Sequence, residues 1–355
     1  MAKKVLHQVV EAALSGDATS DQVFLIRRWL REMGFTSEIY SRHYGTEMEG
    51  EVRRFSAATL AREENLIFHH TIGSPALDQI NAHQIPLILI YHNITPPEFF
   101  MATDPTLTRQ LERGREQLEQ IRPITRLALA DSRYSEEELM GLGFQDTGVL
   151  PITLDEANYD YPLDSRLEAE CRRHGPMILF VGRLAPNKRQ EDLIKLLYFY
   201  RRFEADARLV LVGGGQSCEY ALWLRRFAKI LGLADAVVFA GHVTQQEMVT
   251  YFRVADLYVS MSEHEGFGKP LIESMYLGLP VLAYAAAAVP FTLGGAGVLF
   301  HDKDYEALAE AVDLLMQDRL LRQRIVAGEN ERVKTFLEPH VRGLWTTYLE
   351  NLSLL

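Results

Sequence analysis

Residues 263–275 read Glu-His-Glu-Gly-Phe-Gly-Lys-Pro-Leu-Ile-Glu-Ser-Met, and this stretch indicates how the second half of the chain folds. An apolar run at 257–260 precedes it, and Pro270 suits the first turn of a helix because its φ is fixed and it lacks an N–H. Two glycines in the connecting loop let the backbone approach a ligand, and the free amides of the helix start attract anionic or polar groups. The stretch therefore predicts a strand, a ligand-binding loop and a helix.

Two carboxylates bracket this loop. Glu265 lies in the loop and Glu273 lies near the end of the first helical turn, so the pair could hold opposite ends of an extended ligand. A ribose diol is a natural partner for Glu273. The plain alternative is a solvated loop residue and a helix-surface charge, but the turn around them favours a functional role.

A second informative stretch, residues 180–190, reads Phe-Val-Gly-Arg-Leu-Ala-Pro-Asn-Lys-Arg-Gln. Arg183 and Lys188 flank a Pro-Asn turn that follows a predicted strand, so both cations could converge on one phosphate group. Two ordinary surface bases near a turn explain the pattern equally well on these residues alone.

Short apolar runs alternate with amphipathic segments along the chain, which is typical of parallel, doubly wound α/β sheets. The first series of predicted strands is 3–10, 36–41, 66–70, 87–92, 126–131 and 148–152, and the second is 177–182, 208–212, 236–240, 257–260, 279–284 and 297–300. The polar stretch 153–165 separates them. We therefore predict a domain over residues 1–160 and another over 161–340, with a last helix at 341–355 that packs back on the first.

Composition excludes several classes of protein. The 355 residues are 47% hydrophobic and 24% charged, which is ample for packed cores, and two distant cysteines exclude a disulfide framework. The formal net charge of −11 argues against nucleic acid as a partner. The apolar run at the N-terminus is too interrupted for a signal peptide, and no run approaches the ~20 residues of a membrane span. We expect a cytoplasmic protein.

Taken in order, Gly182-Arg183, Lys188 and the Glu-x7-Glu arrangement of Glu265 and Glu273 resemble the family 4 retaining glycosyltransferases. The resemblance spans most of residues 177–300. It implies a GT-B fold, in which two Rossmann-like domains face each other across a cleft, with a nucleotide-sugar donor bound mainly by the second domain and no metal or other cofactor.

The resemblance also implies roles for individual residues of the second domain. Arg183 and Lys188 would bind the diphosphate, Glu273 the ribose, and Glu265 the transferred sugar. Further donor contacts would come from the glycine run at 211–215, the turn at 241–243 and the loop before the helix: Gly214, His242, Val243, Gly266, Phe267, Gly268 and Leu271.

The first domain matches this family more loosely. Gly16 and Asp17 lie in the loop after the first strand, where the family has a turn beside the donor phosphates, although a plain turn and helix cap explain them too. His92 ends a predicted strand at the carboxyl edge, and we interpret it as a catalytic, sugar-contacting residue. His70 and Asn93 stand at the same edge as acceptor-side candidates.

An Asp-x-Asp pattern at Asp302 and Asp304 resembles the cation motif of other glycosyltransferases, but it stands before a predicted helix, where an N-cap is the better explanation. No histidine has a metal partner at a recognisable spacing.

The local pattern of the first domain is similar to bacterial exopolysaccharide transferases, including the cyanobacterial heterocyst envelope type. We predict transfer of a hexose from a nucleotide diphosphate sugar, UDP-glucose ahead of GDP-mannose by analogy, to a glycan or a lipid-linked oligosaccharide. Peripheral contact with the inner face of a membrane stays open, since Phe99-Phe100 follow two prolines and Arg27, Arg28 and Arg31 share one helix. A non-catalytic nucleotide-sugar-binding subunit and a nucleotide-sugar epimerase are the alternatives.

Overall fold

The computed structural model describes residues 4–14, 16–56, 65–216 and 218–355. The chain forms two compact units: unit 1 holds the residues up to Thr153 together with Glu338–Leu355, and unit 2 holds Leu154–Leu337. The division falls at residue 153, whereas the sequence placed it near 160. Its position follows from backbone pairing, because the N–H of Leu154 donates to the carbonyl of Phe336 at 2.9 Å inside unit 2.

Unit 1 is built on a parallel sheet of seven described strands in the order β3-β2-β1-β4-β5-β6-β7. The strands are β1 His7–Ala13, β2 Ile39–Tyr44, β3 Val52–Arg54, β4 Leu66–His70, β5 Leu87–Tyr91, β6 Thr125–Ala130 and β7 Thr147–Val149. β4 and β5 are buried throughout, as expected for central strands with helices on both faces. The sequence missed β3 because two of its three residues are exposed arginines.

In the described part of unit 1, four helices connect these strands, and each begins at a side-chain N-cap. They are α1 Ala18–Glu32, α2 Pro75–Ala82, α3 Pro105–Ile121 and α4 Arg133–Gly141. The caps are Asp17, Ser74, Asp104 and Ser132. Such caps satisfy amides that the first helical turn leaves unpaired.

Unit 2 is also built on a parallel sheet, with six described strands in the order β10-β9-β8-β11-β12-β13. The strands are β8 Met177–Val181, β9 Arg208–Val212, β10 Val237–Gly241, β11 Leu257–Ser260, β12 Val281–Tyr284 and β13 Val298–Phe300. The helices are α5 Ser165–Cys171, α6 Gln190–Tyr200, α7 Glu219–Ile230, α8 Gln245–Val254, α9 Lys269–Tyr276, α10 Val289–Leu293, α11 Tyr305–Gln317 and α12 Arg319–Val333.

The last helix, α13 (Glu338–Asn351), belongs to unit 1. Its Val341, Trp345 and Leu349 are 0% exposed and join the core cluster that contains Trp29. The indole N–H of Trp29 donates to Glu338 at 2.7 Å. α13 is therefore a core element of the unit that the chain left at residue 153.

In each sheet the strand order reverses between two neighbouring strands, β1 and β4 in unit 1 and β8 and β11 in unit 2. Ligands of doubly wound sheets bind outside the carboxyl ends of such strands. His70 ends β4, Arg183 follows β8 and Glu265 follows β11. The prediction of two doubly wound parallel sheets is confirmed, and the topology places these candidates at the edges where ligands are expected.

Candidate functional site

The turn after β8 carries both predicted phosphate-binding cations. Residues 182–185 lead from β8 into a 3-10 helix, Pro186–Lys188. Arg183 is exposed, and its backbone carbonyl accepts a hydrogen bond from Gln190 Nε2 at 3.0 Å. The Nζ of Lys188 lies 2.5 Å from Glu265 Oε2, with 20% and 13% of the two side chains exposed. The structure thus brings one predicted cation and one predicted acid, 77 residues apart, into direct contact.

The loop that carries Glu265 is held to this turn by further bonds. Asn187 is buried, and its Nδ2 donates to the carbonyl of His264 at 3.1 Å, while the N–H of Glu263 donates to the carbonyl of Asn187 at 2.9 Å. Lys303 Nζ lies 2.9 Å from Glu263 Oε1. The loop is therefore fixed at three successive residues, which makes the position of Glu265 well defined.

Lys303 also contacts Asp192, a fully buried carboxylate on α6. Burial alone would raise the pKa of Asp192, but hydrogen bonds from Lys303, Lys195 and Tyr305 outweigh it and hold that pKa well below its ordinary value. The carboxylate therefore stays ionised across the neutral range and provides Lys303 with a buried negative partner.

Glu273 lies on α9, a helix that starts at Lys269 after Gly268, which has a φ of +87°. Its side chain is 7% exposed, and its Oε1 accepts a hydrogen bond from the hydroxyl of Tyr159 at 2.6 Å. Lys269 Nζ lies 3.9 Å from the same oxygen. The two bracketing glutamates thus have different partners, a lysine for Glu265 and a tyrosine for Glu273.

The glycine run after β9 packs against the end of β8. Gly213 has a φ of +140°, and a Cβ there would lie 2.2 Å from the carbonyl oxygen of Gly182. A Cβ on Gly214 would lie 2.5 Å from Nε2 of His242. The exposed His242 side chain therefore lies against Gly214, and the half-buried Val243 follows it.

Four other predicted donor residues lie in the turn into α9 or in its first helical turn. Phe267 is a core side chain, 4% exposed, whose ring packs edge-on against Phe336 at 5.4 Å. Leu271 is 2% exposed, and a Cβ on Gly268 would lie 2.9 Å from its Cδ1. Any contact of Phe267 with a ligand must therefore use the backbone, as it must for Gly266 and Gly268.

In unit 1, Asp17 caps α1. Its Oδ2 accepts from the N–H of Ser20 at 3.0 Å and from the Ser20 hydroxyl at 3.1 Å. Gly16 has a φ of +75°, which glycine adopts without strain. The turn-and-cap role of these two residues is therefore present, and their donor role stays a prediction.

His92 belongs to a chain of buried polar groups at the carboxyl edge of the unit 1 sheet. Its Nδ1 lies 3.0 Å from Asp131 Oδ2, and its Nε2 lies 3.0 Å from His69 Nδ1. His69 Nε2 lies 2.9 Å from Gln8 Oε1. The His92 side chain is 3% exposed, so contact of a sugar with either ring nitrogen would require one of these bonds to break.

The hydrogen-bond partners of Gln8 show which ring nitrogen of His69 carries the proton. Gln8 Nε2 donates to the carbonyl of Val23 at 3.1 Å, so its Oε1 accepts from His69 Nε2. Burial first, and then the neighbouring His92, lower the pKa of His69 well below its ordinary value, which keeps this ring neutral and leaves its Nδ1 to accept from His92. Burial raises the pKa of Asp131 while His92 opposes it.

The acceptor-side candidates are also buried. His70 is 0% exposed, and its Nε2 lies 2.8 Å from the carbonyl of Gly114. Burial lowers the pKa of His70 to about 4. Asn93 has a φ of +62°, and its Nδ2 donates to Ser135 Oγ at 3.1 Å. Both residues support the loops of this edge, and their contact with an acceptor stays a prediction.

Sequence reasoning missed several residues at these sites. His69 is the penultimate residue of β4 and Asp131 directly follows β6, at the edge already identified through His92, so this position was the signal that could have found them. Tyr159 and Asn187 offered no comparable signal, because one lies in a polar connection and the other reads as an ordinary turn residue.

Among the described residues, no group of three or more His, Cys, Asp or Glu side chains could hold a metal ion. Asp304 is the N-cap of α11, accepting from the amides of Glu306 and Ala307. Independence from metal stays a prediction.

The three arginines that suggested membrane contact form ion pairs in the structure. Arg27, Arg28 and Arg31 pair with Glu51, Glu338 and Glu38. Phe100 is buried. No helix in the described part of the chain is long and apolar enough to cross a bilayer.

Two doubly wound domains of this kind define the GT-B class of fold, and solved structures place the chain in it. HepE from Anabaena, in complex with UDP and glucose, matches with a TM-score of 0.79 over 98% of this chain and 100% of its own, at 18% identity. Sucrose-phosphate synthase from Thermosynechococcus elongatus matches with a TM-score of 0.73 over 98% and 99%, also at 18% identity. At such identity the likeness concerns the fold alone.

The sequence comparison defines the family of the second unit. Residues 169–332 match the family described as Glycosyl transferases group 1. The D-inositol 3-phosphate glycosyltransferase of Stackebrandtia nassauensis is 31% identical over 169 residues, which is 45% of this chain and 38% of that protein. The GDP-mannose-dependent alpha-(1-6)-phosphatidylinositol monomannoside mannosyltransferase of Mycolicibacterium smegmatis is 32% identical over 195 residues, 51% and 50% of the two chains.

The chain thus spans half or less of the length of these curated relatives. Its fold is GT-B, and residues 169–332 match the glycosyl transferases group 1 family, as the glycosyltransferase resemblance of the sequence predicts.

Proposed function

We propose that the protein is a retaining glycosyltransferase that transfers a hexose from a nucleotide diphosphate sugar to a glycan or a lipid-linked oligosaccharide in polysaccharide biosynthesis. The observation that carries the proposal is the contact between Lys188 and Glu265 at the reversal point of the unit 2 sheet, inside the group 1 domain. The relatives named above are a D-inositol 3-phosphate glycosyltransferase and a phosphatidylinositol monomannoside mannosyltransferase, which supports the same class of reaction.

In the proposed reaction the bond between the anomeric carbon and the diphosphate breaks, and its electron pair leaves with the diphosphate. The acceptor hydroxyl forms the new bond from the same face and loses its proton to a departing phosphate oxygen. Arg183 and Lys188 offset the negative charge on the leaving group, while Glu265 faces the ring as positive charge develops on it. Glu273 holds the ribose.

UDP-glucose is the donor we favour. The match to HepE in complex with UDP and glucose concerns the fold, and it makes UDP-sugars the first donors to try. We also propose that the reaction uses no metal or other cofactor, and that the protein acts in the cytoplasm, at or near the inner face of a membrane.

The test is incubation of the purified protein with a panel of labelled UDP- and GDP-sugars and with glycan and lipid-linked acceptors. Product formation with the donor's anomeric configuration, read by NMR, is the expected result. The variant Lys188→Met should abolish transfer. Lys334→Met is the matched control, because Lys334 is 61% exposed and pairs with Glu331 on the surface. Tight donor binding without turnover would instead indicate a non-catalytic subunit, and conversion of the donor sugar without transfer would indicate an epimerase.

A further inference from the structure

The hydroxyl of Tyr159 donates to Oε1 of Glu273 at 2.6 Å, across 114 residues of sequence. Tyr159 is 2% exposed, and its ring packs against Tyr276, one helical turn from Glu273, with 5.6 Å between ring centroids. A short bond from a buried hydroxyl to a carboxylate is of the stronger, charge-assisted kind. The orientation of the Glu273 carboxylate is therefore set by a residue outside α9.

Side chains of α8 hold Tyr159 in place. Arg253 donates through Nη2 to the carbonyl of Tyr159 at 3.2 Å and through Nη1 to the carbonyl of Tyr161 at 3.0 Å. Gln245 donates to the carbonyl of Asn158 at 2.8 Å. The connection that enters unit 2 is thus tied down on both sides of Tyr159, and its hydroxyl reaches Glu273 from a fixed position.

This bond leaves a defined part of the carboxylate for a ligand. A carboxylate offers about four acceptor positions on two oxygens. Tyr159 takes one position on Oε1, and among the described residues no hydrogen bond is recorded to Oε2. A vicinal diol presents two hydroxyl donors, which match one remaining position on Oε1 and the open Oε2.

Without the tyrosine the carboxylate would have another nearby partner. Lys269 Nζ lies 3.9 Å from Oε1, too far for a hydrogen bond in this structure. A carboxylate released by Tyr159 could turn towards this cation and away from the direction in which it now points. Tyr159 and Lys269 thus lie at the same oxygen of Glu273, and only Tyr159 is at hydrogen-bond distance.

We propose that Tyr159 is a positioning residue that orients Glu273 for a ribose diol, so that it sets the preference of the site for ribonucleotides over deoxyribonucleotides. The inference deepens the proposed function and rests on it, because Glu273 is taken to face the ribose of the donor.

The experiment compares the affinity of the protein for UDP or GDP, whichever binds, with its affinity for the 2′-deoxy and 3′-deoxy forms of the same nucleotide. Tyr159→Phe removes only the hydroxyl and should weaken binding of the ribonucleotide by about tenfold while leaving the deoxy forms nearly unchanged. Tyr161→Phe, two residues away at an exposed ring, is the matched control and should change neither. In turnover, Tyr159→Phe should raise KM for the donor more than it lowers kcat.

Arg253→Gln gives a second route if Tyr159→Phe does not fold, because it loosens the connection without removing the hydroxyl. A smaller loss of the same discrimination is expected. Equal weakening of ribo- and deoxyribonucleotides by both variants would mean a general structural role and would overturn the inference.

Glu273→Gln separates this inference from the proposed function. If Glu273→Gln loses the ribose preference but Tyr159→Phe keeps it, the inference fails and the proposed function stands. If the wild-type protein binds no nucleotide, the proposed function fails and the inference fails with it.

Discussion

Glu265→Gln should strengthen binding of a nucleoside diphosphate while it destroys sugar transfer. Lys188 is paired with Glu265 in the structure, and its proposed role is to bind the diphosphate. The lysine must then leave its partner when the donor binds, and Glu265 becomes available for the sugar. Glu265→Gln removes the negative charge that holds Lys188, so the lysine can bind the diphosphate without first breaking an ion pair.

The exposure of the pair sets the size of the effect. Exposed ion pairs contribute about 0–1 kcal/mol, and breaking buried ones costs several kcal/mol. With 20% and 13% of the side chains exposed, this pair lies between these limits. Freeing Lys188 should therefore tighten UDP binding by about 1 kcal/mol, or about fivefold. Lys188→Met should weaken it by about 2 kcal/mol, or about thirtyfold, because a charge-assisted bond to phosphate is lost.

Calorimetric titration of UDP into the two variants measures these shifts, and a transfer assay measures turnover. Both variants should lower kcat by about a hundredfold or more. Glu331→Gln and Lys334→Met, from a surface pair with a separation of 2.7 Å, are the matched controls and should change neither quantity. If Glu265→Gln weakened UDP binding as much as Lys188→Met does, the two residues would act as one fixed unit, and the exchange of partners would be refuted.

Three further predictions concern stability and metal. Burial raises the pKa of Glu329 from 4.5 to about 7, so the folded state loses up to about 3 kcal/mol of its free energy of unfolding as pH rises from 4.5 to beyond 7. Glu329→Gln should therefore stabilise the protein at pH 8 but not at pH 4.5 in denaturant titrations, and a gain equal at both pH values would contradict this assignment. Gly213→Ala should lower both stability and transfer, since its Cβ would strike the carbonyl of Gly182. Gly343→Ala, in open space on α13, should be neutral or slightly stabilising, and the two melting temperatures compare them directly. A chelator should leave transfer unchanged, and its abolition would show that a metal takes part.

Much of the fold follows from patterns that a sequence displays locally. Alternating apolar strands and amphipathic helices gave the two doubly wound sheets, and Pro270 with its neighbouring glycines gave the start of α9. β3 was not predicted, because a three-residue edge strand with two exposed arginines has no periodic pattern to detect. The boundary between the units falls at the start of the predicted separating stretch 153–165, and its exact position depends on pairing of Leu154 with the distant Leu337.

In the candidate site, too, local patterns were predictable and long-range contacts were not. Residue types and spacing identified Lys188, Glu265 and Glu273, but they did not predict that Lys188 pairs with Glu265 or that Glu273 bonds to Tyr159. For His92 the sequence located the edge of the sheet correctly, while its partners His69 and Asp131 come from neighbouring strands. Contacts between distant segments are set by tertiary packing, which no local pattern encodes.

The return of α13 to unit 1 has a consequence for biosynthesis. Val341, Trp345 and Leu349 fill a core whose other members lie before residue 151. During translation, unit 1 therefore cannot complete its core until all of unit 2 has been synthesised. Until then, the apolar surface that α13 covers stays exposed. The described strands of unit 2 all lie before residue 301, and its last helix ends at Val333, so unit 2 is synthesised in full before α13. A variant that lacks Glu338–Leu355 would thus resemble an incomplete nascent chain, in which unit 1, at the N-terminal end, has an unfinished core.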